Sequence, residues 1–216
     1  MKDSTIVVWF SPSCKGYSSV TNRSTKNPSE KHASINDYNL RQLGINFGDY
    51  YIIENVETCR DLYNPTKLNG YGFGKPMNMT RKFETNFSVA DKYSGAKTCS
   101  YELDGLSERK AHSMIDARKK DLTYLKEAPE NCTVRELRSY IPPYYVSHIL
   151  SHLPESPDIF IDCFCSVGGV SRGVRKHYDS VKIAGIDMFQ QSKYPFNFVH
   201  GKVNSGTIQE AIGRVV

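Results

Sequence analysis

Three stretches of this sequence hold residue types whose chemistry goes beyond packing. The first is Phe10-Ser11-Pro12-Ser13-Cys14-Lys15-Gly16-Tyr17-Ser18, where an apolar run stops at a proline, a cysteine and a glycine. A thiol in a tight loop at the carboxyl end of a strand is partly exposed and sees backbone N–H groups. Those groups lower its pKa and favour the nucleophilic thiolate. The alternative is a small apolar residue that closes the strand. The second stretch is Glu54-Asn55-Val56, delivered by the apolar Tyr50-Tyr51-Ile52-Ile53. A carboxylate at the end of a buried strand is costly without a partner. It is either a surface glutamate or a carboxyl that shares a proton with a substrate ring nitrogen. The third is Cys165-Ser166-Val167-Gly168-Gly169-Val170-Ser171-Arg172-Gly173, a glycine-rich turn followed downstream by Asp187.

The elements that must position these residues read as α/β. Ile6-Val7-Val8-Trp9-Phe10 and Ile159-Phe160-Ile161-Asp162-Cys163-Phe164 are apolar runs of buried-strand type, and Val181 to Ile186 is another. Ser34 to Leu43 predicts a helix stopped near Gly44 and Gly48, and Arg81 to Phe87 alternates like a strand. Thr133-Val134-Arg135-Glu136 has capping-box spacing. Pro142-Pro143 predicts the start of a helix running to Leu153. Strand, glycine turn, helix, second strand and acid is the order that holds an adenosine-bearing cofactor, with the acid on the ribose hydroxyls. The turn fits neither G-x-G-x-x-G nor the phosphate-binding G-x-x-x-x-G-K-[ST]. That favours S-adenosylmethionine over a dinucleotide or ATP. A plain βαβ unit with a Gly-Gly turn is the other reading.

Bulk properties bound the rest. The 216 residues suffice for one sizeable core, and 39% hydrophobic content describes a globular chain. No apolar run reaches membrane-spanning length, and the amino terminus is not a signal peptide. A cytoplasmic protein with reduced thiols is expected, because the six cysteines show no C-x-x-C spacing. The net charge of +5 permits a polyanion partner without requiring one. His148 and His152 have zinc-compatible spacing but lack a third ligand, so one helix face is the simpler account. Asn69 to Pro76 reads as a structural glycine loop or part of a ligand-facing wall.

Taken together the motifs resemble the DNA (cytosine-5) methyltransferases, especially small phage-type ones. The Pro-Cys loop is matched by residues 11 to 18, the Glu-Asn-Val by residues 54 to 56, and an arginine ahead of Phe-Glu-Thr-Asn-Phe by Arg81 and Phe83 to Phe87. A Thr-x-Arg-Glu helix start is matched at Thr133 to Glu136, and the cofactor motif by Asp162 to Gly169. Gly185-Ile186-Asp187, Tyr194-Pro195-Phe196 and Val199-His200-Gly201 complete the set. The cysteine half leads here and the cofactor half follows, the reverse of most of the family. A circular permutation accounts for that order and predicts that Met1 and Val216 lie close together.

The resemblance implies an S-adenosylmethionine-dependent, Rossmann-like α/β sheet with helices on both faces. Residues 1–87 would be the catalytic half, 88–131 a small target-recognition segment and 132–216 the cofactor-binding half. Cys14 would attack C6 of a flipped-out cytosine, Glu54 would bond N3 and the exocyclic amine, and Arg81 would hold O2. Pro12, Phe164, Cys165, Ser166, Gly168 and Gly169 would shape the cofactor pocket, with Asp187 on the ribose and Met188 against the adenine. Arg118, Lys119 and Lys120 would meet phosphates of double-stranded DNA, with RNA the other candidate substrate. No metal is implied. The sequence departs from the family pattern at Ser13, Ser166, Lys202 and Met79. A catalytically silent relative that binds nucleic acid or a protein partner is therefore the second reading.

Overall fold

The computed structural model describes residues 4–17, 32–74, 79–94 and 140–216. Arg118, Lys119, Lys120 and the Thr133 to Glu136 helix start lie outside the described residues. Seven strands form one sheet: β1 (Ile6–Phe10), β2 (Tyr50–Val56), β3 (Thr66–Leu68), β4 (Arg81–Thr85), β5 (Ile159–Cys163), β6 (Lys182–Asp187) and β7 (Asn197–His200). The order is β3-β4-β2-β1-β5-β6-β7. The β1–β2, β1–β5, β5–β6 and β6–β7 pairs are parallel, and β4 runs antiparallel to both of its neighbours. The fold is thus α/β, with a mixed, mostly parallel sheet.

Successive strand residues point to opposite faces, and both faces are covered. Val8, Phe10, Ile53, Ile161 and Ile186 pack with Leu40 and Leu43 of α1 (Leu40–Phe47) and with Ile208 and Ala211 of α4 (Ser205–Gly213). Val7, Trp9, Ile52, Phe160 and Ile183 pack with Val146 and Ile149 of α2 (Pro143–Leu150) and with Val170 and Val174 of α3 (Gly169–His177). Burial on both faces is why β1 and β5 are continuous apolar runs rather than alternating ones. The crossover from β1 to β2 lays α1 on one face. The crossover from β5 to β6 lays α3 on the other. The boundary between β1 and β5 is therefore a topological switch point, where open sheets leave a crevice at the strands' carboxyl ends.

Several elements differ from the sequence expectation. The helix expected over Ser34 to Leu43 is a short 3-10 turn, Asn36–Tyr38, then α1. Asn39 separates them in a left-handed conformation (φ 51°). Gly44 does not stop α1. It lies inside the helix, where an added Cβ would come within 2.6 Å of the Tyr51 Cβ, and Gly48 is the actual end. Glu54 is interior to β2, not past its end. Gly70–Phe73 forms a 3-10 turn that seats Gly72 on the Lys92 backbone, so this part of the glycine loop is structural. His148 Nε2 lies 2.9 Å from the Ala90 carbonyl and His152 Nδ1 2.8 Å from the His148 carbonyl, so both rings are engaged locally.

The described ends of the chain share one corner. The Thr5 N–H donates to Asp158 Oδ2 (2.8 Å), and the Asp158 N–H donates to the Thr5 carbonyl (2.9 Å). The Lys182 N–H donates to the Asp158 carbonyl, and Lys182 Nζ donates to the Val216 carbonyl (3.3 Å). Met1 itself lies outside the described residues. No helix among the described residues is long and apolar enough to cross a membrane.

Candidate active site

Register brings the catalytic and cofactor candidates together. Phe10 pairs with Cys163, so the chains leaving β1 and β5 emerge side by side, joined by the Ser11 N–H to the Cys163 carbonyl (3.2 Å). Val56 pairs with Arg81. Because β4 is reversed, its first residue lies at the end of the sheet where the parallel strands finish. A cavity of about 350 Å³ opens there. Its walls include Pro12, Cys14, Glu54 and Arg81 from the first half of the chain, and Phe164, Cys165, Ser166 and Gly169 from the second. Ser11, Ser13, Lys15, Val56, Tyr140, Ile141 and Val167 also line it. The sequence reading assigned none of these a site role. Tyr140 and Ile141 carried a faint signal, an apolar pair just before Pro142-Pro143.

The Cys14 loop is tightly held. Asn55 Nδ2 donates to the Pro12 carbonyl (3.3 Å), so the residue beside Glu54 fixes the residue before the cysteine turn. Cys14–Gly16 is a 3-10 turn, and Ser13 caps it by accepting from the Lys15 N–H (3.4 Å). That cap gives Ser13 a local role a second proline could not fill. Beyond the turn, the Tyr17 hydroxyl donates to Asp61 Oδ2 and accepts from the Ile35 N–H.

Cys14 is only partly exposed, and burial pushes its thiol above the ordinary value. Arg81 and Lys15 pull the other way, while Glu54 adds to the rise. This corrects the expectation of a lowered pKa. The loop's N–H contribution is real, but the walls brought by distant segments desolvate the sulfur more strongly. Glu54 is 6% exposed, and burial raises its pKa, opposed by the Arg81 charge and a hydrogen bond from Ser11. Arg81 Nε is 3.0 Å from Glu54 Oε1 but is not directed as a hydrogen bond. The two side chains are thus close and largely buried, with no hydrogen bond at Nε. Met79, one of the four positions that depart from the motif pattern, is 2% exposed and is a core residue, its carbonyl accepting from the Tyr145 hydroxyl.

On the cofactor side, Phe164 (φ 65°), Ser166 (φ 48°) and Gly168 (φ 83°) all adopt left-handed backbone. Two of the three carry side chains, so this loop stores strain of the kind found at ligand clamps. Asp187 accepts from the Ser166 N–H on Oδ2 (3.0 Å) and from the Phe189 N–H on Oδ1 (2.9 Å). Each oxygen retains a second lone pair for a ligand hydroxyl. Asp187, Gly168 and Met188 are not among the residues that line the cavity, and Met188 is 51% exposed. Lys202 has an exposed side chain, and its carbonyl accepts from Thr207 Oγ1 at the start of α4.

Under the loop lies Asp162, 1% exposed. Its Oδ2 accepts from the Ser171 hydroxyl (2.6 Å), which is 2.7 Å from the Tyr194 hydroxyl. The Tyr194 ring lies against Gly185, where an added Cβ would come within 2.3 Å of Cζ. Asp162 Oδ1 has no partner among the described residues. Burial pushes its pKa from 3.8 to about 7. The folded protein thus keeps a proton that the unfolded chain loses first. Stability from this group is full below about pH 4 and falls as pH rises to about 7. At about 1.4 kcal/mol per pKa unit the loss is on the order of 4 kcal/mol. Asp162→Asn, which keeps an acceptor for Ser171, should flatten that fall. Urea denaturation at pH 5 and pH 8 reads it, and an unchanged slope in the variant would contradict the assignment.

Comparison of the chain with protein-family models, curated proteins and solved structures found no match.

Proposed function

We propose that this protein transfers a methyl group from S-adenosylmethionine to C5 of cytosine in DNA through a covalent adduct on Cys14. The observation that carries the reading is the shared cavity. A thiol, a buried carboxyl and a guanidinium from one half of the chain face the strained glycine loop of the other across the sheet's switch point.

The cytosine ring must leave the stack to reach such a recess. Cys14 then adds to C6 as thiolate. Because its pKa is raised, the thiol gives its proton to solvent water as the base settles, and Arg81 is the cation placed to favour that ionisation. Glu54, whose pKa burial raises and Arg81 lowers, shares a proton with N3 and so withdraws electron density from the ring as the sulfur adds. Arg81 stabilises the charge at O2. Phe164 and Val167 supply an apolar wall for an adenosine without phosphates, and Asp187, which does not line that cavity, keeps acceptor capacity beside the same loop for ribose hydroxyls. S-adenosylmethionine supplies, when bound, an electrophilic methyl group to the activated C5. Loss of the C5 proton then expels Cys14 and restores the aromatic ring.

A permuted order is supported by the shared corner of Thr5 and Val216 at the sheet end opposite the site. The test is incorporation of labelled methyl from S-adenosylmethionine into mixed-sequence double-stranded DNA, with RNA in parallel, followed by digestion to nucleosides. Label in 5-methyldeoxycytidine is the expected result, and label confined to RNA would move the same chemistry to another substrate. No label in either, with folded protein and saturating cofactor, would overturn the reading in favour of a silent nucleic-acid or protein binder.

A further inference from the structure

Asp162 does not line the cavity, but the chain joins it closely to residues that do. Phe164 follows it by two residues, and Gly169 precedes its partner Ser171 by two. Successive Cα atoms lie about 3.8 Å apart, so the Phe164 Cα is at most about 7.6 Å from that of Asp162. The hydrogens around this carboxyl run one way. Ser171 uses its single hydroxyl hydrogen on Asp162 Oδ2 (2.6 Å), so it can only accept from the Tyr194 hydroxyl, 2.7 Å away. A chain from Tyr194 to Ser171 to Asp162 suits a carboxylate and fits an acid poorly. A proton on Oδ1 meets no acceptor among the described residues, and one on Oδ2 would turn Ser171 round. Yet Asp162 forms no ion pair among the described residues. The charge that reaches it, from Asp187 on β6, has its own sign. Cys163 on β5, Cys165 from the loop and Tyr194 from the β6–β7 connection also face it, and none of them is a cation. Its register partner on β1 is Trp9, which does not titrate.

We propose that Asp162 is the residue by which this site tells a charged cofactor from its neutral product: its carboxylate, without a counter-charge among the described residues, finds one in the sulfonium of S-adenosylmethionine bound in the cavity. The inference rests on the reading that the cavity takes this cofactor. Contact is not needed, because charges inside a protein are poorly screened and act over several ångströms. Burial pushes the Asp162 pKa up to about 7, so the group is partly protonated near neutrality. A cation close by favours the ionised form and sends that proton to solvent. Loss of the methyl group turns the sulfonium into an uncharged thioether, and Asp162 takes a proton back from water. Preference for the cofactor over the product therefore grows as pH rises.

The test counts protons. S-adenosylmethionine and S-adenosylhomocysteine are each titrated into the protein by calorimetry at pH 6.5, in PIPES and in imidazole, whose different ionisation heats reveal the protons released. A cation that lowers the Asp162 midpoint by roughly one unit releases about half a proton per site at this pH. S-adenosylmethionine should show that release and S-adenosylhomocysteine essentially none. Asp162→Asn, which keeps the acceptor for Ser171, should still bind the cofactor but release no more than the product does. If that variant does not fold, the wild type alone carries the test. Its affinity ratio for cofactor over product should then rise roughly fivefold from pH 5 to pH 7. Equal release with both ligands, release that survives in Asp162→Asn, or a ratio that stays flat with pH overturns the role of Asp162 and leaves the methyltransferase reading standing. Folded wild-type protein that binds neither ligand sinks that reading, and this inference with it.

Discussion

Under the proposed reaction, Cys14→Ser should reduce methyl transfer into DNA by at least about a thousandfold and leave S-adenosylmethionine binding in place. Removing a covalent nucleophile takes away the whole low-barrier route, and losses of this size or larger follow. Cofactor binding persists because the groups assigned to the adenosine come from the β5 and β6 ends, and a thiol-to-hydroxyl change leaves the loop cap on Ser13 intact. Transfer that survives the substitution within tenfold would remove Cys14 from the chemistry. The wild-type thiol carries its own signature. Because burial raises its pKa above the ordinary cysteine value, alkylation by iodoacetamide is slow at neutral pH and climbs through pH 9 and beyond. A plateau already reached by pH 7 would mean an activated thiolate at rest and would contradict the site's electrostatics.

The Glu54–Arg81 pair gives the second large effect, and its two halves move the thiol in opposite directions. Under the same proposed reaction, Glu54→Gln should lower methyl transfer by roughly 10²- to 10⁴-fold, the range for loss of a positioned acid or base. The same change makes Cys14 easier to ionise, since Glu54 raises its pKa, so alkylation at a fixed pH becomes faster as catalysis becomes slower. Arg81→Leu also abolishes transfer, but it slows alkylation because the cation that favours the thiolate is gone. It destabilises the fold as well. Side-chain exposures of 10% for Arg81 and 7% for Glu54 place the pair largely out of water. Breaking a buried pair by removing one partner costs about 3–5 kcal/mol. Chemical denaturation with parallel thiol alkylation checks both. Equal changes in alkylation for the two variants would show that neither charge reaches the sulfur.

The parts of this architecture legible in the sequence are those whose signal is local. β1, β5 and β6 announce themselves because a strand buried on both faces must be apolar throughout. The glycine turn into α3 is legible because its backbone demands are written in Gly168 and Gly169. β3, β7 and α4 are not. β3 is three residues long, β7 is only partly buried, and both are strands because a neighbour offers them an edge. The start of α1 fails for a related reason. Nothing local marks Asn39 as left-handed, and Gly44 is read as a stop when its role is to let Tyr51 approach. At the site, Cys14 and Glu54 stand out by residue type and position and Arg81 only through the motif resemblance, whereas the direction of the Cys14 pKa is not legible. That direction is set by desolvation, and the desolvating walls include Tyr140, Ile141 and Phe164, more than a hundred residues away.

The position of β1 between β2 and β5 has a consequence for how the molecule is made. Of the described strands β1 is made before the others, yet one of its two hydrogen-bonding edges must wait for β5, about 150 residues later. At a synthesis rate of roughly 5–20 residues per second, the wait is on the order of ten to thirty seconds. Through that interval Ile6 to Phe10 is a nascent apolar ribbon with an open side, long-range pairing of this kind being slow to close. Among the described strands, the one that carries the cysteine loop is thus made earliest and must wait for β5, and the walls around Cys14 are complete only once Gly169 has been made.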